Sequence, residues 1–182
     1  TTTEKHSYSK NVTCTLDTDD ACAFADLAER INQNDSIALV LIQHEFGFFR
    51  NKESDFKSFL KNLEKPVIIV FHTVLPSPSQ LLKSTVKDLI RYAESIIVMT
   101  NDSARILEEQ YDTPERKISV IAHGTHLVAH PNKTVLKQKY GLEGKMILST
   151  FGLLSAGKSI ETTLDALPAI VAENSDVLFL II

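Results

Sequence analysis

A histidine directly follows the most apolar run of the chain. Val67–Phe71 contains five consecutive β-branched or aromatic residues, is preceded by Pro66, and ends at His72. Such a run predicts a strand that is buried on both faces, as in a parallel sheet. Open α/β sheets bind their ligands at the carboxyl ends of parallel strands. We therefore predict that His72 is a site residue; a histidine that is packed and hydrogen-bonded at a strand end is the alternative.

Polar residues also follow two other apolar runs. Gln43-His44-Glu45 comes after Ile37–Ile42, and His123-Gly124 comes after Ile118–Ala122. Parallel strands end at the same edge of a sheet, so these segments are expected near His72. The spacing of His123, His126 and His130 could suggest a metal site, but zinc needs convergent ligands held by a second set of partners. We expect a polar loop at the crevice and no metal.

A phosphate-loop pattern lies further along the chain. Gly152–Ser159 fits G-x-x-x-x-G-K-[ST] at every fixed position, between a predicted strand and a predicted helix. On its own the pattern indicates a nucleoside triphosphate. The positive charge of Lys158 at a helix N-terminus is unfavourable beside the positive end of the helix dipole, and a bound anion would offset this electrostatic cost. A surface lysine in a glycine turn is the alternative. Against an ATPase, Asp176 precedes its strand, whereas a magnesium-binding aspartate should follow one.

The elements that must position these residues alternate regularly. Apolar runs and amphipathic helical stripes succeed one another four times, joined by short connections, which predicts an α/β fold with a doubly wound, mainly parallel sheet. A short edge strand is predicted at Val12–Leu16, and the first helix at about Asp20–Gln33. We place the first domain at 1–128, a linker with a short helix at 129–144, and the first β-α-β of a second domain at 145–182.

Composition excludes several classes of protein. The 182 residues are 43% hydrophobic with a net charge of -4 and interspersed charges, so nothing indicates nucleic-acid binding. Cys14 and Cys22 cannot form a disulfide framework, which favours a reducing, cytoplasmic location. No segment approaches the roughly 20 apolar residues that cross a bilayer. The G-x-S-x-G pattern of serine hydrolases is absent from the sequence.

Several separated motifs agree on one family. In chain order they are Gln43–Gly47, Phe71–Thr73, Val98–Ala104, Ala122–Gly124, Tyr140–Leu142 and Phe151–Lys158. Together they resemble the group 1 (family 4) retaining glycosyltransferases of GT-B fold, the relatives of bacterial mannosyltransferases. The ordered set covers about residues 37–182. The resemblance implies two Rossmann-like domains across a cleft, the first receiving the acceptor and the second the nucleotide-sugar.

The resemblance also assigns roles to residues. His72 would contact the transferred sugar and its phosphate, His44 and Glu45 would line the acceptor side, and the His123-Gly124 loop would border the cleft. Gly152 and Lys158 would bind the donor diphosphate. Leu153 stands where the family often has arginine, and Ser159 where glycine is usual. The family's donor-binding glutamate pair would lie beyond Ile182, so we expect a truncated enzyme that is inactive alone.

The activity implied is metal-independent transfer of a sugar, mannose being one candidate, with retention and no cofactor besides the donor substrate. The acceptor would be a carbohydrate or a glycolipid; contact with the inner membrane from the cytoplasmic side and self-association of the chain are further expectations. Two alternatives stay open: a phosphate-loop NTPase or kinase that uses Gly152–Ser159, and a non-enzymatic α/β binding module. The sequence names neither the sugar, the base nor the acceptor.

Overall fold

The computed structural model describes residues 7–20, 22–49, 51–152 and 154–182. The chain divides into two compact units, Thr1–Thr125 and His126–Ile182. Each unit is described by itself below. Among the described residues, no helix is both long enough and apolar enough to cross a membrane.

The first unit alternates helices with strands throughout. Its elements are α1 (Ala23–Asn32), β1 (Val40–His44), α2 (Glu53–Asn62), β2 (Val67–Phe71), α3 (Gln80–Tyr92), β3 (Ser95–Val98), α4 (Asn101–Tyr111), a 3-10 turn (Glu115–Lys117) and β4 (Ile118–Val120). Side-chain caps define two of the helix starts: Ser79 Oγ accepts from the Leu82 N–H at α3, and Thr100 Oγ1 accepts from the Ser103 N–H at α4.

The four strands form one parallel sheet in the order β1-β2-β3-β4. Val40 lies opposite Val67, and Ile68 lies opposite Ser95. The α/β class and the parallel sheet are confirmed. The order of the strands in the sheet is their order in the chain, so each connection leads to the next strand in the same direction. Because such connections are right-handed, α2, α3 and α4 all lie on one face of the sheet.

The core of this unit lies between that face and the helices. Alternate strand residues point into it, because side chains of a strand alternate between the two faces. Its fully buried members include Ile69, Phe71, Ile96 and Val98 from the strands, with Leu60, Val86, Leu107 and Tyr111 from the helices. On the other face of β1, the side chain of Leu41 is half exposed.

The second unit is smaller. It contains α5 (Lys133–Lys139), β5 (Met146–Thr150), a 3-10 turn (Ala156–Lys158), α6 (Ile160–Glu173) and β6 (Val177–Ile181). β5 and β6 pair in parallel, with Met146 opposite Val177. The predicted β-α-β arrangement is therefore present. Val177 is the one buried hydrophobic residue among the described residues of this unit.

The structure corrects two predicted elements near the start. The described residues 12–16 form no strand, and Leu16 packs against the core of the first unit instead. β1 begins three residues later than predicted, at Val40. Ile37 is still part of a turn, in which its N–H donates to Asn34 O, and pairing with the neighbouring segment starts where the Val40 N–H donates to Pro66 O.

Candidate functional site

A polar cluster lies at the carboxyl edge of the four-stranded sheet. His72 Nε2 and Gln43 Oε1 are 2.6 Å apart, and the His72 N–H donates to His44 O. β1 and β2 are adjacent and parallel, with His44 opposite Phe71, so the residues that end β1 meet the residue that follows β2. His72 and Gln43 are both exposed, which leaves their side chains open to a ligand.

Glu45 is held by a second contact across the same two strands. Its Oε2 accepts from Thr73 Oγ1 at 2.8 Å, and its Oε1 accepts from the Phe46 N–H at 3.2 Å. Both residues are half-buried. A carboxylate with both oxygens hydrogen-bonded is fixed in position, and it brings a negative charge to the edge beside His72.

His123 joins the cluster from β4. The rings of His72 and His123 have centroids 5.5 Å apart, although β3 lies between their strands. Both imidazoles are exposed, as is Gly124, and a side chain at Gly124 would meet no atom within 4 Å. The structure therefore brings together His72, Glu45 and His123, three residues selected from separate segments of the sequence.

His44 lies elsewhere. Its ring is 5% exposed, and it packs among Phe46, Phe56 and Phe71 at centroid distances of 5.2, 5.9 and 5.1 Å. Burial lowers the pKa of His44 to about 4, against a smaller opposing effect of the Glu45 carboxylate. The ring is consequently neutral at pH 7. His44 and Glu45 are neighbours in sequence, but His44 points into the helix-covered face of the sheet.

The reason for this separation is the length of β1. Sequence analysis ended the strand at Ile42 and placed His44 in the following loop, whereas His44 is the last residue of the strand. Alternation along a strand then assigns Gln43 to the exposed face and His44 to the core face. Gln43 and Thr73 are cluster members that the sequence analysis did not select; each sits directly beside a selected residue, in the same strand-end segments.

In the second unit, the loop between β5 and α6 folds back on itself. A Cβ added at Gly152 would lie 3.8 Å from Lys158 Nζ, so the ammonium group sits over the backbone of that glycine. Gly152 has φ +111°, a conformation that L side chains rarely adopt. The Lys158 amine and the start of the loop are thus adjacent, in the strand–loop–helix setting that a phosphate site needs.

The backbone after Lys158 departs from a continuous loop-to-helix turn. Ser159 is left-handed, with φ 50° and ψ 39°, and makes no side-chain cap. Lys158 therefore ends a separate 3-10 turn, and α6 begins only at Ile160. In the phosphate-loop reading, the lysine and the following hydroxyl act together at the helix start; the left-handed residue between Lys158 and the helix disfavours that alternative.

Within the described residues, no three histidine, cysteine or acidic side chains converge as a metal site would require. The ring of His123 lies against that of His72. Comparison with models of known protein families and with curated protein sequences finds no match.

Proposed function

We propose that the protein is a glycosyltransferase that moves a hexose, such as mannose, from a nucleotide-diphosphate sugar to an acceptor with retention of configuration. The observation that carries the proposal is the cluster of His72, Glu45 and His123 at the carboxyl edge of a parallel sheet. Open α/β sheets bind ligands at this edge. The three residues belong to three of the ordered motifs that resemble the retaining family.

In this proposal His72 contacts the transferred sugar. With Gln43 Oε1 accepting from Nε2, the imidazole carries its proton on Nε2 and presents Nδ1 as a hydrogen-bond acceptor. A sugar hydroxyl is a suitable donor to that nitrogen. Glu45, fixed by Thr73, binds hydroxyl groups on the acceptor side.

Lys158 and Gly152 serve the donor diphosphate. The ammonium group lies over a glycine backbone that presents no side chain, which allows two negatively charged phosphates to approach. Charge neutralisation of this kind stabilises a diphosphate leaving group in the transition state. The departing diphosphate accepts the proton of the acceptor hydroxyl as the new glycosidic bond forms, so no metal is required.

The protein acts in the cytoplasm in this account, where Cys14 and Cys22 remain free thiols on the surface. A glycolipid acceptor would bring it to the membrane surface. The proposed chemistry is tested by incubating the full-length protein with GDP- and UDP-hexoses and a panel of glycosyl acceptors without divalent cations. Release of nucleoside diphosphate with formation of a product of unchanged anomeric configuration by NMR supports it. Activity that appears only with ATP and magnesium refutes it.

A further inference from the structure

A cavity lies on the helix-covered side of the first unit, near the end of β1. It has a volume of about 460 Å³ and is bounded by the turn after β1, by α2 and by α3. This volume is within the range of small-molecule sites. None of the side chains of the strand-edge cluster lines it: Gln43, Glu45, His72, Thr73 and His123 all lie outside its wall.

The wall is mainly aromatic and aliphatic. Phe49 and Phe56 stack in parallel with ring centroids 4.0 Å apart, and together with Phe46 and Leu82 they form its apolar part. These rings present flat faces and edges to a ligand. Offset stacking or edge contacts with them stabilise the binding of an aromatic ligand. The wall therefore favours a planar, apolar group.

His44 is one of the residues that line the cavity, and it carries a buried polar atom. The residue lines the cavity and is 5% exposed, and its Nδ1 has no hydrogen-bond partner among the described residues. Its neighbours are phenylalanine rings, which cannot accept or donate a conventional hydrogen bond. A buried polar group without a partner is costly, and native proteins rarely leave one unsatisfied without a water or a ligand.

The charges around the cavity favour a neutral ligand over an anionic one. The Lys57 ammonium pairs with the Asp88 carboxylate, so these two lining residues add no net charge. Glu53 also lines the cavity and contributes a further carboxylate. A neutral molecule meets neither repulsion from Glu53 nor competition with the ion pair.

We propose that this cavity binds a small, neutral aromatic molecule that carries one hydroxyl group. The ring packs against Phe49 and Phe56, and the hydroxyl hydrogen-bonds to Nδ1 of His44. A hydroxyl both donates and accepts, so it suits either tautomer of the imidazole. Nδ1 is fully buried and the His44 ring packs against Phe46, Phe56 and Phe71, so side chains of the wall must shift for the hydroxyl to reach it. The site is independent of glycosyl transfer.

The test compares 4-ethylphenol with ethylbenzene, which has the same ring and chain but no hydroxyl. Binding is followed on protein with ¹⁵N-labelled histidine, so that the ring nitrogens of His44 report contact directly. The phenol is expected to bind roughly 3- to 10-fold more tightly than ethylbenzene, the range for one neutral hydrogen bond, and to shift the Nδ1 signal of His44.

Two variants locate the site. His44→Phe keeps an aromatic ring but removes Nδ1, so the preference for the phenol should fall to about 1-fold. His126→Phe makes the same change at an exposed histidine and should keep the preference. Thr85→Trp, at the cavity wall on α3, should prevent binding of both 4-ethylphenol and ethylbenzene. If His44→Phe fails to fold, this variant still tests whether the two molecules bind in this cavity.

Failure to bind 4-ethylphenol would overturn the proposal. Equal affinity for both molecules with an unmoved His44 signal would overturn it too, because the ligand would then lie away from His44. Loss or retention of transferase activity enters neither outcome, so this test and the test of the proposed function are separate.

Discussion

Gln43 and His72 are joined side chain to side chain across two adjacent parallel strands, with Oε1 and Nε2 2.6 Å apart. Both side chains are exposed, so this contact does not serve the packing of the core. The amide oxygen can only accept, so the contact favours the tautomer of His72 that carries a proton on Nε2. An imidazole that is held in this way presents one defined nitrogen to a ligand.

The first prediction concerns that tautomer. Gln43→Leu removes the acceptor for Nε2–H while keeping a side chain of similar size. We expect the ring ¹⁵N shifts of His72 to change from those of a predominant Nε2–H form to those of a mixture of tautomers. Gln33→Leu, which removes an exposed glutamine paired with Glu29 near the end of α1, is the matched control and should leave His72 unchanged. Unaltered His72 shifts in Gln43→Leu would show that the contact does not set the tautomer.

A second prediction concerns the Glu45–Thr73 contact. Thr73→Val removes the hydroxyl that donates to Glu45 Oε2 and preserves the shape of the side chain. The contact is half-buried, so its loss should lower the free energy of unfolding by about 1 kcal/mol. If Glu45 binds the acceptor, the freed carboxylate should also raise the KM for the acceptor more than it lowers kcat. The measurements are urea unfolding and steady-state kinetics; a variant that matches wild type in both would remove Thr73 from any positioning role.

A third prediction follows from the burial of His44. Its pKa is about 4 in the folded protein and about 6.5 when unfolded. Between these values the unfolded chain binds a proton that the folded protein does not, so stability should fall as pH decreases from about 6.5 towards 4. The full difference corresponds to about 3 kcal/mol. Above pH 6.5 this effect is complete and should add no further change.

The measurement is the free energy of unfolding in urea at several pH values, for wild type and for His44→Phe. The variant has no titrating group at this position, so its stability should depend less on pH between about 5 and 6.5. Carboxylates titrate mainly below that interval. Identical pH dependence of the two proteins would mean that the pKa of His44 is the same in the folded and unfolded states, contrary to this prediction.

The sequence was sufficient to predict the sheet and the edge where polar residues gather. Uninterrupted apolar runs such as Val67–Phe71 are specific for buried parallel strands, and short connections leave few topologies. The residues that follow those runs, His72 and His123, indeed come together. Parallel pairing accounts for their place at the same edge of the sheet, whereas the contact between the rings across the end of β3 also depends on the loop that follows β4.

Burial of His44 could not be predicted in the same way. It depends on whether β1 ends at residue 42 or 44, a difference that hydrophobicity does not encode, because Gln43 and His44 are polar and still pair with β2. Pairing with Val70 and Phe71 extends the strand beyond its apolar run. The role of Gln43 was missed for the same reason. Without the position of the strand end, the sequence does not show which side chain of Gln43-His44-Glu45 faces His72.

The loop at Lys158 shows the limit of a short motif. Its fixed positions match a phosphate loop, and its place between β5 and α6 is the expected one. The left-handed backbone of Ser159 is a local feature that the motif does not specify, because the motif fixes residue types and not backbone angles. Choosing between a nucleotide-sugar and ATP therefore needs a measurement.

That measurement is calorimetric titration of GDP, UDP and ATP, with and without magnesium, into the full-length protein. We expect a nucleoside diphosphate to bind without metal, and Lys158→Ala to weaken that binding about 10-fold or more through loss of a charge-assisted contact. Lys133→Ala, an exposed lysine of the same unit at the start of α5, should bind like wild type. Magnesium-dependent binding of ATP, with no diphosphate binding in its absence, would contradict the glycosyltransferase account and favour the phosphate-loop alternative.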